Sequence, residues 1–568
     1  MIFIAYSQIS EEKFNGSSLG MPEYGYYFVL RGFLPVLREL GQVVLVSNPE
    51  QEVDAVYDGC QKRGENCVFI SFSSPNKSPT GLRCPTVCVF AWEYDRIPDE
   101  VWDDDQKNDW RYVLSNHGRA ISLSQYAAAA VRKAMGNNYP VVAIPAPVWD
   151  TFVEDRNHST GNSVAEKMDI TIRGNIVDSS NYHIRSDSFE LIENFDNFQF
   201  QNWSGEKLHL GFSKTDKFST YLGGFYPSET WGTWLGVTKP WVLLPYKLKD
   251  TINLKIIARL HGHTSKEIFV SIGNESKKIL ICNFFTEMTV SFNLSKPDNI
   301  LKFSGLDLTP IPGAKDQRFL GIGLSHIEIS GDPGVEVRKD IEQENNPVRK
   351  ITLEGVVYSS VLCPTDGRKN WEDIVTAFCT AFQDVEDATL VLKMVHYSLA
   401  SFLMKLNSLL MQMWPFKCRV VALQGYMDSV EYEALISATH FYINASKAEG
   451  LCLPLMEFMA CRKPSISPCH TAMVDYVDSS STLIVDSSLE PCMWPHDPRN
   501  IFRSIRYRID WESLVNAYRQ SYDIAKNQPD VYREMAKAAS LQMNKFSSNS
   551  VVKEKLQKFF AKELGCLF

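Results

Sequence analysis

Ala448-Glu449-Gly450-Leu451-Cys452-Leu453-Pro454-Leu455-Met456-Glu457 runs on into Phe458-Met459-Ala460-Cys461-Arg462-Lys463-Pro464. The stretch sets two carboxylates, Glu449 and Glu457, with seven residues between them, across a glycine-bearing turn and the start of a helix. Pro454 fits the first helical position, where a missing N–H costs no intrahelical bond. Backbone N–H groups at such a helix start can take a diphosphate. A carboxylate one turn further in can accept both hydroxyls of a ribose diol. On the residues alone, a surface loop followed by an acid on a helix face explains the pattern equally well.

Outward from this stretch the chain alternates apolar strands with helices. Residues 355–361, 388–395, 418–423 and 440–444 read as strands, and residues 371–382 and 454–461 as helices. The same rhythm fills residues 1–149. There residues 2–5, 43–46, 67–70, 87–90 and 141–144 are fully apolar, as strands covered on both faces must be. A helix carrying Val29, Phe33, Val36, Leu37 and Leu40 at three-to-four spacing ends at Gly41. Both zones, 1–149 and 346–568, are expected to be doubly wound α/β units.

Residues 150–345 have a different texture. Segments 253–260, 267–272 and 288–294 alternate with period two, and turn signals such as Gly273-Asn274 separate them. Short strands without helices between them predict an antiparallel β-sandwich resembling a jelly roll. Trp231, Trp234 and Trp241, with Trp203, Tyr221 and Phe225 nearby, make the segment look like carbohydrate-binding modules. Aromatics of this kind either stack on sugar rings or fill a small core.

Composition narrows the classes. The 568 residues carry 58 Lys+Arg against 67 Asp+Glu, a net charge of −9, which argues against broad nucleic-acid binding. Thirteen cysteines without a C-x-x-C spacing predict buried reduced thiols rather than a disulfide or zinc framework. No run of 18 apolar residues occurs, and the N-terminus lacks the features of a signal peptide, so the expected place is the cytoplasm. In residues 551–568 an apolar stripe of Val551, Val552, Leu556, Phe559, Phe560 and Leu564 opposes Lys553, Lys555, Lys558 and Lys562. Such a helix can lie on anionic lipid at the inner face of the membrane, or pack across a domain junction. The oligomeric state stays open.

The E-G-x-x-L-P-x-x-E pattern, followed by a small-residue helix and Pro464, resembles the E-x7-E signature of retaining GT-B glycosyltransferases, in particular the large family 4. The resemblance covers both α/β zones and leaves the middle one out. It implies a GT-B fold interrupted by a β insert, with a nucleotide-diphospho-sugar on the C-terminal half and a glycan or glycolipid acceptor on the N-terminal half. It further implies that Glu449 contacts the donor sugar and Glu457 the ribose, with Gly450, Leu451 and Tyr426 lining the donor site.

In Asp366-Gly367-Arg368-Lys369-Asn370-Trp371, Lys369 aligns with a family lysine that meets the diphosphate. The family's arginine position, five residues earlier, is Pro364, and Arg368 is expected to replace it. After the first strand, the Gly16–Gly20 loop resembles the family's glycine-rich loop. Phe90-Ala91-Trp92-Glu93 resembles a subset with W-E where many members carry a His, placing Trp92 and Glu93 at the acceptor side. Glu93 either orients an acceptor hydroxyl or bonds to backbone.

His470 either touches the donor or belongs to a helix entry, and Asp103-Asp104-Asp105 reads as a solvated turn. No essential metal and no cofactor are expected. The expected activity is retaining sugar transfer in polysaccharide or lipopolysaccharide assembly; the rival is a non-catalytic carbohydrate-binding or scaffolding protein on a degenerate transferase fold.

Overall fold

Apolar runs become strands of two largely parallel sheets. The chain is described here by a computed structural model covering residues 1–9, 22–152, 167–181, 207–213, 222–226, 228–310, 318–331, 348–395, 400–495 and 497–565. Gly16, Gly20, Trp203, Tyr221 and Cys566 lie outside the described residues. Two units form: Met1–Ile192 with Pro347–Tyr397 and Met411–Phe568, and Glu193–Asn346 with Ser398–Leu410.

In the first unit the N-terminal sheet runs in the order Gln42–Leu45, Ile2–Ser7, Cys67–Phe72, Thr86–Phe90, Ala120–Ser122, Val141–Ala143, every pair parallel. Phe3, Ile4 and Ala5 have no exposed surface, because helices cover both faces of such a sheet. The helix Pro22–Leu40 lays Val29, Phe33, Val36 and Leu37 into this core. It ends at Gly41, where a Cβ would stand 2.3 Å from the Met1 carbonyl oxygen.

The second sheet runs Thr482–Val485, Ser465–Pro468, Phe441–Ile443, Val356–Leu362, Ala388–Met394, Arg419–Gln424 and Asn175–Asp178. All its pairs are parallel except the last. That last strand corrects the domain boundary expected at residue 150. Met168–Arg173 pairs with Val348–Leu353, and Asn175–Asp178 pairs with Arg419–Gln424. The C-terminal half thus begins before the insert, which interrupts it rather than separating the two halves. Met168–Arg173 alternates apolar and polar residues just as the strands of the insert do, so its pattern does not distinguish it from them.

A second feature carries no sequence signature. The hairpin Ser487–Met493 with Phe502–Ile509 reaches from the C-terminal half to the segment after Glu93. Trp494 at its tip is buried, stacks on Trp102 at 6.1 Å and donates its indole N–H to the Arg96 carbonyl at 3.2 Å. Asp95 accepts from Ser504 Oγ and Ile505 N, and Glu100 pairs with Arg499 and Arg503.

The tail helix Asn549–Leu564 packs on the N-terminal half. Val552, Leu556, Phe559 and Phe560 are buried there, Phe560 against Phe3 at 5.4 Å, and Lys553 pairs with Glu39 at 2.8 Å. This corrects the lipid-surface alternative: the apolar stripe is already covered by protein. Among the described residues no helix is long and apolar enough to cross a membrane.

The second unit is antiparallel, as alternation predicts. Its described strands form an eight-stranded antiparallel sheet and a short separate pair, Thr309–Pro310 with Phe319–Leu320. Two long strands, Trp241–Leu260 and Thr286–Ser304, run through it and shift register between Leu243 and Asp250. Asp250 there takes a left-handed φ of 64°; such a bulge lets a strand bend and continue into another layer. One face, including Ile252, Leu254, Ile256, Ala258, Ile268, Val270 and Ile327, makes the core.

Candidate active site

Strand order places the site. In the second sheet the first strand of the α/β run, Val356–Leu362, lies between Ala388–Met394 and Phe441–Ile443. The direction of winding reverses there, and a crevice opens outside the carboxyl ends of the strands on either side. Two loops leave at that point. One carries Arg368 and Lys369; the other carries Glu449.

Local chemistry holds both loops. Asp366 caps the turn Gly367–Lys369 by accepting from Arg368 N at 3.2 Å. The Arg368 carbonyl accepts from Lys447 N at 2.7 Å, and Asn370 Nδ2 donates to the Ala445 carbonyl at 3.2 Å. Glu449 N donates to Thr471 Oγ1 at 3.1 Å. Asn370, Cys452 and Thr471 all take left-handed backbone, with φ of 53°, 65° and 51°. Non-glycine residues rarely adopt that conformation, and β-branched Thr471 least readily, so three close together mark a place where surrounding structure enforces strain.

The side chains converge on Glu449, which is 3% exposed. Arg368 Nη1 donates to Glu449 Oε2 at 2.9 Å and to the Ala448 carbonyl at 2.9 Å, and Lys369 Nζ donates to Glu449 Oε1 at 2.5 Å. Arg368 also reaches Asp366 through Nε at 3.0 Å and Glu93, on the N-terminal half, through Nη2 at 3.2 Å. Burial pushes the Glu449 carboxyl up, but the charges of Lys369 and Arg368 outweigh it and hold it at about 2. For Arg368 burial opposes the charge, and Glu449 and Glu93 more than restore it. At Glu93 burial wins: its carboxyl lies above the usual range although Arg368 pulls it down. Desolvating this many charges is a poor route to stability, and such clusters concentrate at functional sites.

Glu457 stands apart from the cluster on the helix Leu453–Ala460, with Pro454 as its second residue. It is half-buried and accepts from the Tyr432 hydroxyl at 2.7 Å, and burial raises its carboxyl. Tyr432 itself, on the helix Ser429–Ala438, carried no sequence signal. His470 is 2% exposed and stacks on Tyr507 of the hairpin at 4.2 Å and 9°. Burial lowers its imidazole to about 4.

Of the other expected residues, Gly450 touches the N-terminal half: a Cβ there would meet Ala91 Cβ at 2.8 Å and Trp92 N at 2.9 Å. Leu451 turns into the core, its carbonyl accepting from the Tyr476 hydroxyl. Trp92 corrects an expectation. Rather than lining an acceptor surface it is 4% exposed, packed on Trp110 at 4.5 Å, with its indole N–H bonded to the Arg96 carbonyl. A large indole after a buried strand gains more from that aromatic core than from solvent. Tyr426 is half-buried near Arg31, Asp428 and Glu431.

In the second unit, Trp231 and Trp234 stack on the Arg259 guanidinium at 4.5 and 4.6 Å, with Phe285 at 5.0 Å. Those faces hold a cation of the protein itself. Asp103 and Asp104 form the exposed turn that was expected, both with left-handed φ.

The loops at the carboxyl ends of the two parallel sheets therefore meet, through Arg368 with Glu93 and Gly450 with Ala91. Two Rossmann-like halves joined in this way are the GT-B fold. A protein-family model, Domain of unknown function (DUF7024), matches residues 200–331, within the insert. No curated protein matches the chain. Among solved structures the chain is similar to a glycosyltransferase from Rickettsia africae, at 9% identity over 99% of this chain and 98% of that one, with a TM-score of 0.44. It is similar to HepE of Anabaena, solved with UDP, at 10% identity over 99% of both chains and a TM-score of 0.42. It is also similar to the pneumococcal O-GlcNAc transferase GtfA, solved with UDP and GlcNAc, at 14% identity and a TM-score of 0.27, where the match spans 37% of each chain.

Proposed function

We propose that this chain is a retaining glycosyltransferase that moves a sugar from a nucleotide-diphospho-sugar to a glycan or glycolipid acceptor. The observation that supports it most is the convergence of Arg368 and Lys369 on Glu449 at the winding reversal of the second sheet. In this reading Glu449 accepts hydrogen bonds from hydroxyls of the donor sugar. Arg368 and Lys369 turn part of their donor capacity to the leaving diphosphate, whose growing charge they stabilise. Glu457, with Tyr432 on its second oxygen, holds the ribose. Glu93 orients the acceptor hydroxyl from the opposite half. Because two cations and helix N–H groups meet the diphosphate, the reaction needs neither metal nor cofactor. A cytoplasmic role in polysaccharide or lipopolysaccharide assembly fits such a donor and acceptor.

A thermal-shift screen against UDP-, GDP-, ADP- and CMP-sugars tests the reading. Stabilisation by one nucleotide class, lost in Glu457→Ala, is the expected result. Stabilisation by glycans but by no nucleotide sugar would instead identify a non-catalytic carbohydrate-binding protein.

A further inference from the structure

Three potential ligand atoms converge on the outer face of the insert. Leu208–Gly211 pairs antiparallel with Ile322–Gly331, setting His209 directly opposite Glu328 and His326 diagonal to it on the same face. His209 Nδ1 lies 3.3 Å from His326 Nε2 and 3.4 Å from Glu328 Oε2, and all three ligand atoms fall within 4.8 Å of one another. In a tetrahedral zinc site with metal–ligand bonds of about 2.0–2.1 Å, adjacent ligand atoms stand about 3.3–3.4 Å apart. Both measured separations match the edge of that tetrahedron.

The geometry points to a zinc site formed by His209, His326 and Glu328, with its fourth position open to water. A zinc ion at this point would use one lone pair from each of the three side chains. Two imidazoles and one carboxylate are donors that favour a divalent transition ion over calcium or magnesium. The outer shell is also in place. Lys207 Nζ holds the other Glu328 oxygen at 2.6 Å, leaving Oε2 turned toward the imidazoles. Lys255 lies opposite Glu328 on the other neighbouring strand, but its ammonium is engaged by Glu287 at 2.9 Å. An ion here would tie the four-residue strand Leu208–Gly211 to the sheet, where among the described residues one ladder, with Ile322–Gly331, holds it.

The test uses the untagged full-length chain, stripped with EDTA and dialysed against micromolar zinc chloride with reductant, with bound metal measured by mass spectrometry. One zinc per chain is expected, and cobalt in its place should show the intense visible bands of a tetrahedral ion. His209→Ala, His326→Ala and the near-isosteric Glu328→Gln should each weaken zinc binding by more than about 100-fold, beyond what outer-shell changes cause. His263→Ala and Cys469→Ser, elsewhere on the surface, should leave it unchanged. No zinc uptake by the wild type, or uptake unaltered by all three site substitutions, would overturn the proposal. Circular dichroism confirms that each variant is folded.

Discussion

Arg368 donates through Nη1 to the Glu449 carboxylate at 2.9 Å, and these two residues come from loops 81 positions apart in the chain. The rest of the guanidinium spans Asp366 and Glu93, so one planar fork links three segments of the fold. Five donors in fixed directions make this possible; a lysine ammonium could not hold the same set.

Removing Arg368 should therefore be costly. Arg368→Ala leaves Glu449 and Glu93 as buried carboxylates short of a partner, with an expected loss of about 3–5 kcal/mol in urea unfolding. Adding Glu93→Gln to that variant should restore part of the loss, because one uncompensated charge is gone. A loss below about 1 kcal/mol would show that water screens the cluster.

Acid should destabilise the protein in two windows. The His470 imidazole is depressed from its usual 6.5 to about 4. Its contribution is thus complete above 6.5 and is lost as pH falls through 4. Glu449 is depressed from 4.5 to about 2, so its contribution is present above 4.5 and is lost as pH falls through 2. Between pH 6.5 and 4 the unfolding free energy should drop with a His470 share of up to about 1.4 kcal/mol per pH unit, to which buried His440, depressed to about 3, adds. His470→Asn should reduce the slope in that window and leave the lower one in place. Equal slopes for variant and wild type would refute the assignment.

Gly450→Ala should loosen the contact between the halves. The added methyl would press on the Ala91 methyl at 2.8 Å and the Trp92 backbone N at 2.9 Å; neither atom can swing away without moving the chain. Overpacking of this kind costs roughly 1–3 kcal/mol. A lowered melting temperature, with weaker nucleotide-sugar stabilisation, is the expected outcome.

Trp494→Ala should release the hairpin. The indole is 2% exposed and holds both Trp102 and the Arg96 carbonyl. Truncating a buried tryptophan costs about 3–5 kcal/mol. Hydrogen exchange should rise in residues 487–509 and in residues 95–110 together, since each covers the other. A rise in the hairpin alone would mean that the 95–110 segment holds itself.

Much of this was readable from residues close together in the chain. Apolar runs marked most interior strands of the two largely parallel sheets, because burial on both faces demands it; Ala120–Ser122 and Ser465–Pro468, with their serines, did not stand out in that way. Alternation marked the insert, and the spacing of Glu449 and Glu457 lies within one turn and one helix. Trp92 was misplaced, since an aromatic after a strand looks the same whether it faces a cleft or a core. The strands Met168–Arg173 and Asn175–Asp178 hid the true start of the C-terminal half, because their pattern tells that they are strands but not which sheet they join.

The sequence by itself determined most of the core strands and helices, and which short motif carries the two acids, since both follow from local periodicity and spacing. Only the tertiary structure decided that Arg368 and Lys369 close on Glu449, that Glu93 joins them from the other half, and that Trp494 latches onto Trp102. Those contacts join loops from separate strands. Their geometry depends on strand order and winding direction, which no stretch of neighbouring residues encodes.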